Sequence, residues 1–316
     1  MALLIIGSDR LDEFYNGVRE CAPDRDVRAY PESGERDDID YALAWKAPHG
    51  ELAKLKNLKL IVSVGAGVDH LFTDPALPDV PIVRYIDPDL TTRMTQYVVL
   101  QTLYHVRRMS EIQAQQRVRK WHFLPEPMPE QTRVGIMGIG VLGQAAAEAL
   151  GGLGYRLNGW SRGPKSIEGV TCFSGEDGLK PFLAQTDILV VLLPFTPATK
   201  GILNRDLFRQ LSSDGQRHHR LPGPVLINAG RGGLQVEADI LSALDAGDLY
   251  AASLDVFEVE PLPADSAIWQ HERIVVTPHN AAESATESIS RYFLRQIELM
   301  EAGKPLENVV DPKVGY

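Results

Sequence analysis

Short apolar runs alternate with amphipathic patches along most of the chain. In the first third, Met1–Ile6, Asp26–Tyr30, Tyr41–Trp45, Leu58–Val64 and Ile82–Arg84 read as strands, and Leu11–Glu20 reads as a helix. Gly and Pro clusters punctuate them. This alternation of strands and helices suggests a parallel sheet with helices on its faces. Thr92–Lys120 has no Gly or Pro and reads as one long helix. Pro125, Pro127 and Pro129 follow it and suggest a joint between domains.

A second series then begins. Arg133–Met137, Tyr155–Trp160, Ile188–Leu192, Val225–Asn228, Ala251–Val256 and Ile274–Thr277 read as strands. Helical patches fall near Leu142–Leu150, Leu179–Ala184, Arg205–Leu211 and Gln235–Ala246, and a last helix covers Ala285–Ala302. Six strands alternating with helices predict a doubly wound nucleotide-binding sheet. Ser212–Pro224, with His218 and His219, is polar and long for a helix–strand connection, and reads as a surface loop with no metal.

Composition narrows the function classes. Hydrophobic residues at 44% and charged residues at 23% exclude a mainly disordered chain. The longest apolar stretch, Ile188–Leu193, stops at Pro194 and is too short to span a membrane. Met1–Ile6 lacks a basic flank and reads as a strand, not a signal peptide. A formal net charge of −10 disfavours nucleic acid as a partner. Cys21 and Cys172 are far apart in sequence with no CxxC, which points to a reducing cytoplasm.

Two sets of residues carry chemistry. Arg133-Val-Gly-Ile-Met-Gly138-Ile-Gly140-Val141-Leu142-Gly143 is a strand, then GxGxxG, then an Ala-rich helix. Gly138 suits a tight turn, Gly140 a close approach to pyrophosphate, and Gly143 close helix–strand packing. The helix N-terminus would face the phosphates. The next strand ends Trp160-Ser161-Arg162, followed by Lys165. No carboxylate stands there to hold a ribose 2′-OH, whereas a hydroxyl, a guanidinium and an ammonium suit a 2′-phosphate. NADPH is therefore expected over NADH. The second set is Asn228-Ala-Gly230-Arg231-Gly-Gly, Asp255-Val-Phe-Glu258-Val-Glu260-Pro-Leu-Pro and Thr277-Pro-His279-Asn-Ala-Ala. Each follows an apolar strand, so all three should meet at the carboxyl edge of one sheet, where such folds bind ligands.

With these motifs and Val64-Gly65-Ala66-Gly67-Val-Asp69, the sequence resembles the D-isomer-specific 2-hydroxyacid dehydrogenase family. Trp45-Lys46, Trp160-Ser-Arg, Glu260-Pro-Leu-Pro, Trp269-Gln-His and Gly315-Tyr316 bring it nearest to that family's bacterial glyoxylate/hydroxypyruvate reductase A group. The resemblance implies two doubly wound parallel-sheet domains. A Rossmann cofactor domain, 98–284, is inserted in a flavodoxin-like substrate domain, 1–97 plus 285–316. It implies Arg231, Glu260 and His279 as the catalytic trio. His279 would be the general acid, Glu260 its support, and Arg231 the group that binds the carboxylate and polarises the ketone. It adds Leu193, Pro194, Gly230 and Asp255 to the cofactor site, with Asp255 accepting from the nicotinamide carboxamide. Trp45 and the Val64–Gly67 loop join the substrate site. The implied reaction is NADPH-dependent reduction of small 2-keto acids, glyoxylate or hydroxypyruvate, by a homodimer. Two alternatives stay open: a reductase of bulkier 2-keto acids, or a non-catalytic NAD(P)-sensing protein on the same fold.

Overall fold

The computed structural model describes residues 1–7, 10–65, 67–212 and 221–311. His218 and His219 lie outside the described residues. The chain divides into two compact units, Met1–Leu90 with the segment from Glu283 onward, and Thr91–Ala282.

The first unit holds β1 (Ala2–Gly7), α1 (Leu11–Cys21), β2 (Asp26–Ala29), β3 (Ile39–Trp45), β4 (Leu60–Ser63), α2 (Asp69–Phe72) and β5 (Ile82–Arg84), joined by the final helix α9 (Thr286–Glu301). Its sheet is parallel in the order β2-β1-β3-β4-β5, the flavodoxin-like winding. The period of two sorts its side chains. Leu3, Ile5, Leu43 and Val62 pack with Phe14 and Val18 of α1 and with Ile289, Phe293 and Ile297 of α9. Leu4, Ile6, Ala42 and Ile61 form the opposite face with Leu52, Leu55 and Leu71. Ile289, Phe293 and Ile297 recur every four residues and so make one stripe. Burying a side chain of that size is worth about 1.5–3 kcal/mol, enough in sum to return the end of the chain to the unit formed by its beginning.

The second unit holds α3 (Pro88–Val106), α4 (Met109–Arg117), β6 (Arg133–Met137), α5 (Val141–Gly152), β7 (Arg156–Ser161), β8 (Val170–Ser174), α6 (Gly175–Leu183), β9 (Ile188–Val191), α7 (Arg205–Phe208), β10 (Val225–Asn228), α8 (Glu237–Ala246), β11 (Ala251–Leu254) and β12 (Ile274–Val276). All its strands are parallel, in the order β12-β11-β10-β9-β6-β7-β8. The winding reverses between β6 and β9, which defines the switch point where such sheets take ligands. Ile188 and Val190 face α3 and α5, while Leu189 and Val191 face Phe182, Phe208 and Leu244.

Three sequence expectations are corrected. The second sheet has seven strands, not six: β8, VTCFS, is an edge strand with no fully buried residue, so it shows no apolar run. The expected single helix Thr92–Lys120 begins earlier, at Pro88, and breaks into α3 and α4 at Arg108. Arg108 takes the left-handed conformation, φ 54°, and its guanidinium holds Glu111 of the next turn, Nε to Oε1 at 3.1 Å. No Gly or Pro announces that break. The proline run lies inside the second unit, not at a joint. Met94, Tyr97 and Val98 already pack on the second unit's core, which explains why the division falls as early as Leu90/Thr91.

A buried polar network ties α3 to β11. The Ser253 hydroxyl donates to Gln101 Oε1 at 2.8 Å and lies 2.7 Å from His105 Nε2, so the neutral imidazole carries its proton on Nε2. His105 is 2% exposed, and burial pushes its pKa down to about 4. The unfolded chain binds this proton near pH 6.5 and the folded chain only near 4. Stability is therefore complete above pH 6.5 and drains away as the pH falls towards 4, by about 3 kcal/mol in all. Urea unfolding between pH 7 and 4.5 should show this loss, and His105→Gln should flatten the slope. An equal slope in both proteins removes His105 as its source.

Candidate active site

The glycine loop expected to hold the cofactor lies at the switch point. Gly138 has φ 102°, and a Cβ there would stand 2.7 Å from the Leu192 carbonyl carbon and 2.9 Å from Leu193 N. The turn thus needs glycine both for its angle and for its approach to β9. At Gly143 a Cβ would meet the Gly138 carbonyl oxygen at 2.3 Å, so α5 seats directly on the turn. At Gly140 nothing lies within 4 Å of the Cβ position. Gly140 is the N-cap of α5 with no side-chain cap; Val141 follows it 54% exposed, and Leu142 is partly buried against the core. The first N–H groups of α5 and the open space at Gly140 together fit a pyrophosphate. This is what the sequence motif requires.

Ser161 closes β7 and donates to Gly163 O at 2.8 Å, with Arg162 exposed beside it. Lys165 reaches back and donates to Ile139 O at 2.8 Å, inside the glycine loop. Its ammonium therefore stands where β7 and the loop meet. Leu193 and Pro194 follow β9, and the Pro194 carbonyl accepts from Thr199 Oγ1 at 2.8 Å. Gly230 approaches Leu193 O, which a Cβ would meet at 3.0 Å, so the loops after β6, β9 and β10 are contiguous.

The three residues expected to be catalytic follow three neighbouring strands. Arg231 lies after β10 and caps the short 3-10 turn Gly232–Leu234. Its Nη1 donates to Gly230 O at 2.9 Å. The turn is braced from within: Asn228 Nδ2 donates to Gln235 Oε1 at 2.8 Å, and Gln235 Nε2 donates to Val256 O at 2.9 Å. Glu260 lies after β11. Its Oε1 accepts from Phe257 N at 3.1 Å, and its Oε2 lies 2.8 Å from His279 Nδ1. His279 follows β12 in the left-handed region, φ 52°, and its N–H donates to Asp255 O at 2.8 Å. The expected Glu–His pair is therefore formed. Glu258, which competes with Glu260 by proximity in sequence, instead accepts from Glu237 N at 2.8 Å.

Asp255 is 2% exposed, and its carboxylate turns into the β12 loop. Oδ1 accepts from Thr277 Oγ1 at 2.6 Å and Asn280 N at 3.0 Å, and Oδ2 from Ala281 N at 3.0 Å. Thr277 Oγ1 lies 2.9 Å from the Tyr97 hydroxyl. Sequence reasoning passed over Tyr97 and left Gln235 and Thr277 without a role. Their contacts join residues far apart in sequence, so no local signal announces them.

In the first unit, Trp45 ends β3, and Val64, Gly65 and Gly67 follow β4. Ala66 lies outside the described residues. The Trp45 ring covers Gly65, where a Cβ would meet Cζ3 at 2.5 Å, and packs against His70 with ring centroids 4.6 Å apart. Ser63 Oγ donates towards Gly65 O and Gly67 O at 3.2 and 3.3 Å, which fixes the curl of the loop.

A Rossmann-type sheet with an open glycine loop at its switch point and an Arg, Glu and His at three adjacent strand ends defines a nicotinamide-dependent oxidoreductase. A model of the D-isomer specific 2-hydroxyacid dehydrogenase, NAD binding domain, matches residues 99–281. The chain is 38% identical over 312 residues to a glyoxylate/hydroxypyruvate reductase A from Yersinia enterocolitica, covering 96% of each. It superposes on the NADPH-dependent glyoxylate/hydroxypyruvate reductase of Sinorhizobium meliloti, solved with NADP and sulfate, with TM-score 0.93, 44% identity and 100% of both chains covered. A probable 2-hydroxyacid dehydrogenase from Rhizobium etli, solved with NADP, HEPES and L(+)-tartaric acid, gives TM-score 0.92 at 44% identity, covering 100% of this chain and 99% of that one. The chain belongs to the D-isomer specific 2-hydroxyacid dehydrogenase family.

One contact sets the Arg231 turn. A Cβ on Gly232 would fall 1.7 Å from Phe257 O. Gly232→Ala must part the loops after β10 and β11, and such overpacking costs about 1–3 kcal/mol. A lower Tm together with a reduced kcat is expected; a variant matching wild type in both contradicts the contact.

Proposed function

We propose that this protein reduces small 2-keto acids, glyoxylate and hydroxypyruvate, to the corresponding 2-hydroxy acids with NADPH. The observation that carries the reading is the 2.8 Å contact between His279 Nδ1 and Glu260 Oε2, beside an Arg-bearing turn on the neighbouring strand. The names of the relatives support the substrate class, and the cofactors in the solved neighbours support NADPH.

Gly138, Gly140, Val141, Leu142 and Gly143 would hold the pyrophosphate, with Leu193, Pro194 and Gly230 lining the cofactor site. Ser161, Arg162 and Lys165 would take the 2′-phosphate. When bound, the reduced nicotinamide supplies the hydride. The chain's residues do the rest. Arg231 pairs with the substrate carboxylate and draws charge from the ketone oxygen. Glu260 accepts from Nδ1–H and so fixes the imidazole; the proton passed to the ketone oxygen is the one on Nε2. In the first unit, Trp45 and the Val64–Gly67 loop keep the substrate-binding role that the family resemblance gives them. That unit is then the substrate domain and the second unit the cofactor domain.

The assembly we propose is a homodimer. Of the twelve exposed large apolar residues among those described, Leu100, Ile112, Val118, Trp121, Phe123 and Met128 fall in the stretch of sequence from α3 to just before β6, with Trp121 fully exposed. So much apolar surface in one stretch marks an interaction site. Light scattering should give twice the chain mass, and Trp121→Asp with Phe123→Asp should halve it; a wild-type monomer contradicts the dimer. Cys21 and Cys172 are free thiols, Cys21 exposed, which supports a reducing cytoplasm.

One assay with two variants tests the chemistry. His279→Ala should lower kcat by about 10²–10⁴-fold while NADPH still binds. Arg162→Ala should raise KM for NADPH by about 10–100-fold, the worth of a charged hydrogen bond, and leave that for NADH nearly unchanged. Undiminished turnover removes His279 from the mechanism, and equal effects on both cofactors remove Arg162 from the 2′-phosphate site.

A further inference from the structure

We propose that Asp255, Thr277 and Tyr97 form a relay that positions His279. The inference rests on the reductase reading of the site and deepens it. It begins with the backbone. His279 is a residue with a β-carbon held at φ 52°. Such a conformation costs about 1–2 kcal/mol and persists only where the surroundings impose it.

What imposes it is Asp255. The N–H of His279 donates to the Asp255 main-chain carbonyl at 2.8 Å. The next two, of Asn280 and Ala281, donate to its two carboxylate oxygens at 3.0 Å each. A left-handed residue turns successive N–H groups the same way and makes an anion-binding nest. Here the nest closes on a single residue of the neighbouring strand end. The carboxylate is buried, so its charge must be met by donors, and the third is the Thr277 hydroxyl at 2.6 Å. Since the carboxylate only accepts, Thr277 gives its proton to Asp255 and must accept at its own oxygen. The Tyr97 hydroxyl at 2.9 Å is the donor. Tyr97 is 8% exposed on α3, so the relay runs from a helix in the hydrophobic core to the loop that presents the general acid. Three donors on its two oxygens thus tie Asp255 to the loop that carries His279.

These are positioning residues, and the test separates positioning from stability and from the reductase reading. Thr277→Val keeps the shape and removes the hydroxyl; Thr277→Ser keeps the hydroxyl. Thr277→Val should lose about 10²-fold in kcat with glyoxylate, the cost of roughly 1 Å of misplacement, with the Kd for NADPH changed less than about twofold. Thr277→Ser should restore most of the turnover. Tyr97→Phe, which deletes one oxygen at the far end, should give a smaller loss of the same kind and serves if Thr277→Val does not fold. Amide hydrogen exchange at residues 279–281 is read in the same proteins and needs no turnover. It should be about tenfold faster in Thr277→Val than in wild type or Thr277→Ser. Unchanged exchange, or a Thr277→Ser as impaired as Thr277→Val, overturns the relay. A wild-type enzyme inert towards keto acids but with protected 279–281 amides defeats the reductase reading alone.

Discussion

The carboxylate of Asp255 and the three main-chain N–H groups that close on that residue are the point on which the reactive edge depends. From it the other contacts follow in order. The nest fixes His279; His279 Nδ1 meets Glu260 Oε2; Glu260 Oε1 takes the N–H of Phe257; and the Phe257 carbonyl lies where only a glycine, Gly232, can pass. Arg231 is the residue before that glycine. The loops after β10, β11 and β12 thus form one structure, and no single reactive side chain is placed by its own loop alone. Preorganisation of this kind is what a general acid and an anion-binding arginine need if they are to meet developing charge without rearrangement.

The other half of the second unit solves a different problem, how an acidic chain holds a polyanion. The formal charge of −10 repels phosphate at long range, so binding must come from short-range groups. The open N-terminal turn of α5 provides N–H donors, and Gly140 leaves the space beside them empty. Arg162 and Lys165 add charge at the end of β7. Lys165, bonded to the Ile139 carbonyl, also fastens that segment to the glycine loop, so the two segments proposed to take phosphates share one contact.

How much of this was legible in the sequence follows from which interactions are local. The strands of both sheets stand out because parallel strands are apolar on both faces, and Gly138, Gly140 and Gly143 stand out because one strand–turn–helix contains them all. The family resemblance pointed to Glu260, and the structure pairs Glu260 with His279 and gives its neighbour Glu258 to Glu237. What escaped is tertiary. Strand β8 lies at an edge and is half polar, so it carries no period. The break at Arg108 is made by an arginine in a left-handed turn, which no composition rule anticipates. Tyr97 and Thr277 meet across 180 positions of sequence, and the donors to the Asp255 carboxylate stand in the loop after the next strand. Trp45 ends a strand, and nothing local tells that its ring covers Gly65.

The claim that joins these parts is that the Arg–Glu–His edge reduces a small keto acid at the expense of NADPH. The most direct test is NADPH oxidation at 340 nm with glyoxylate, hydroxypyruvate and pyruvate in turn, with NADH in parallel. The account predicts rapid loss that requires a keto acid, fastest with glyoxylate and hydroxypyruvate and faster with NADPH than with NADH at equal concentration. NADPH that binds the protein yet is not oxidised in the presence of any of the three would contradict it.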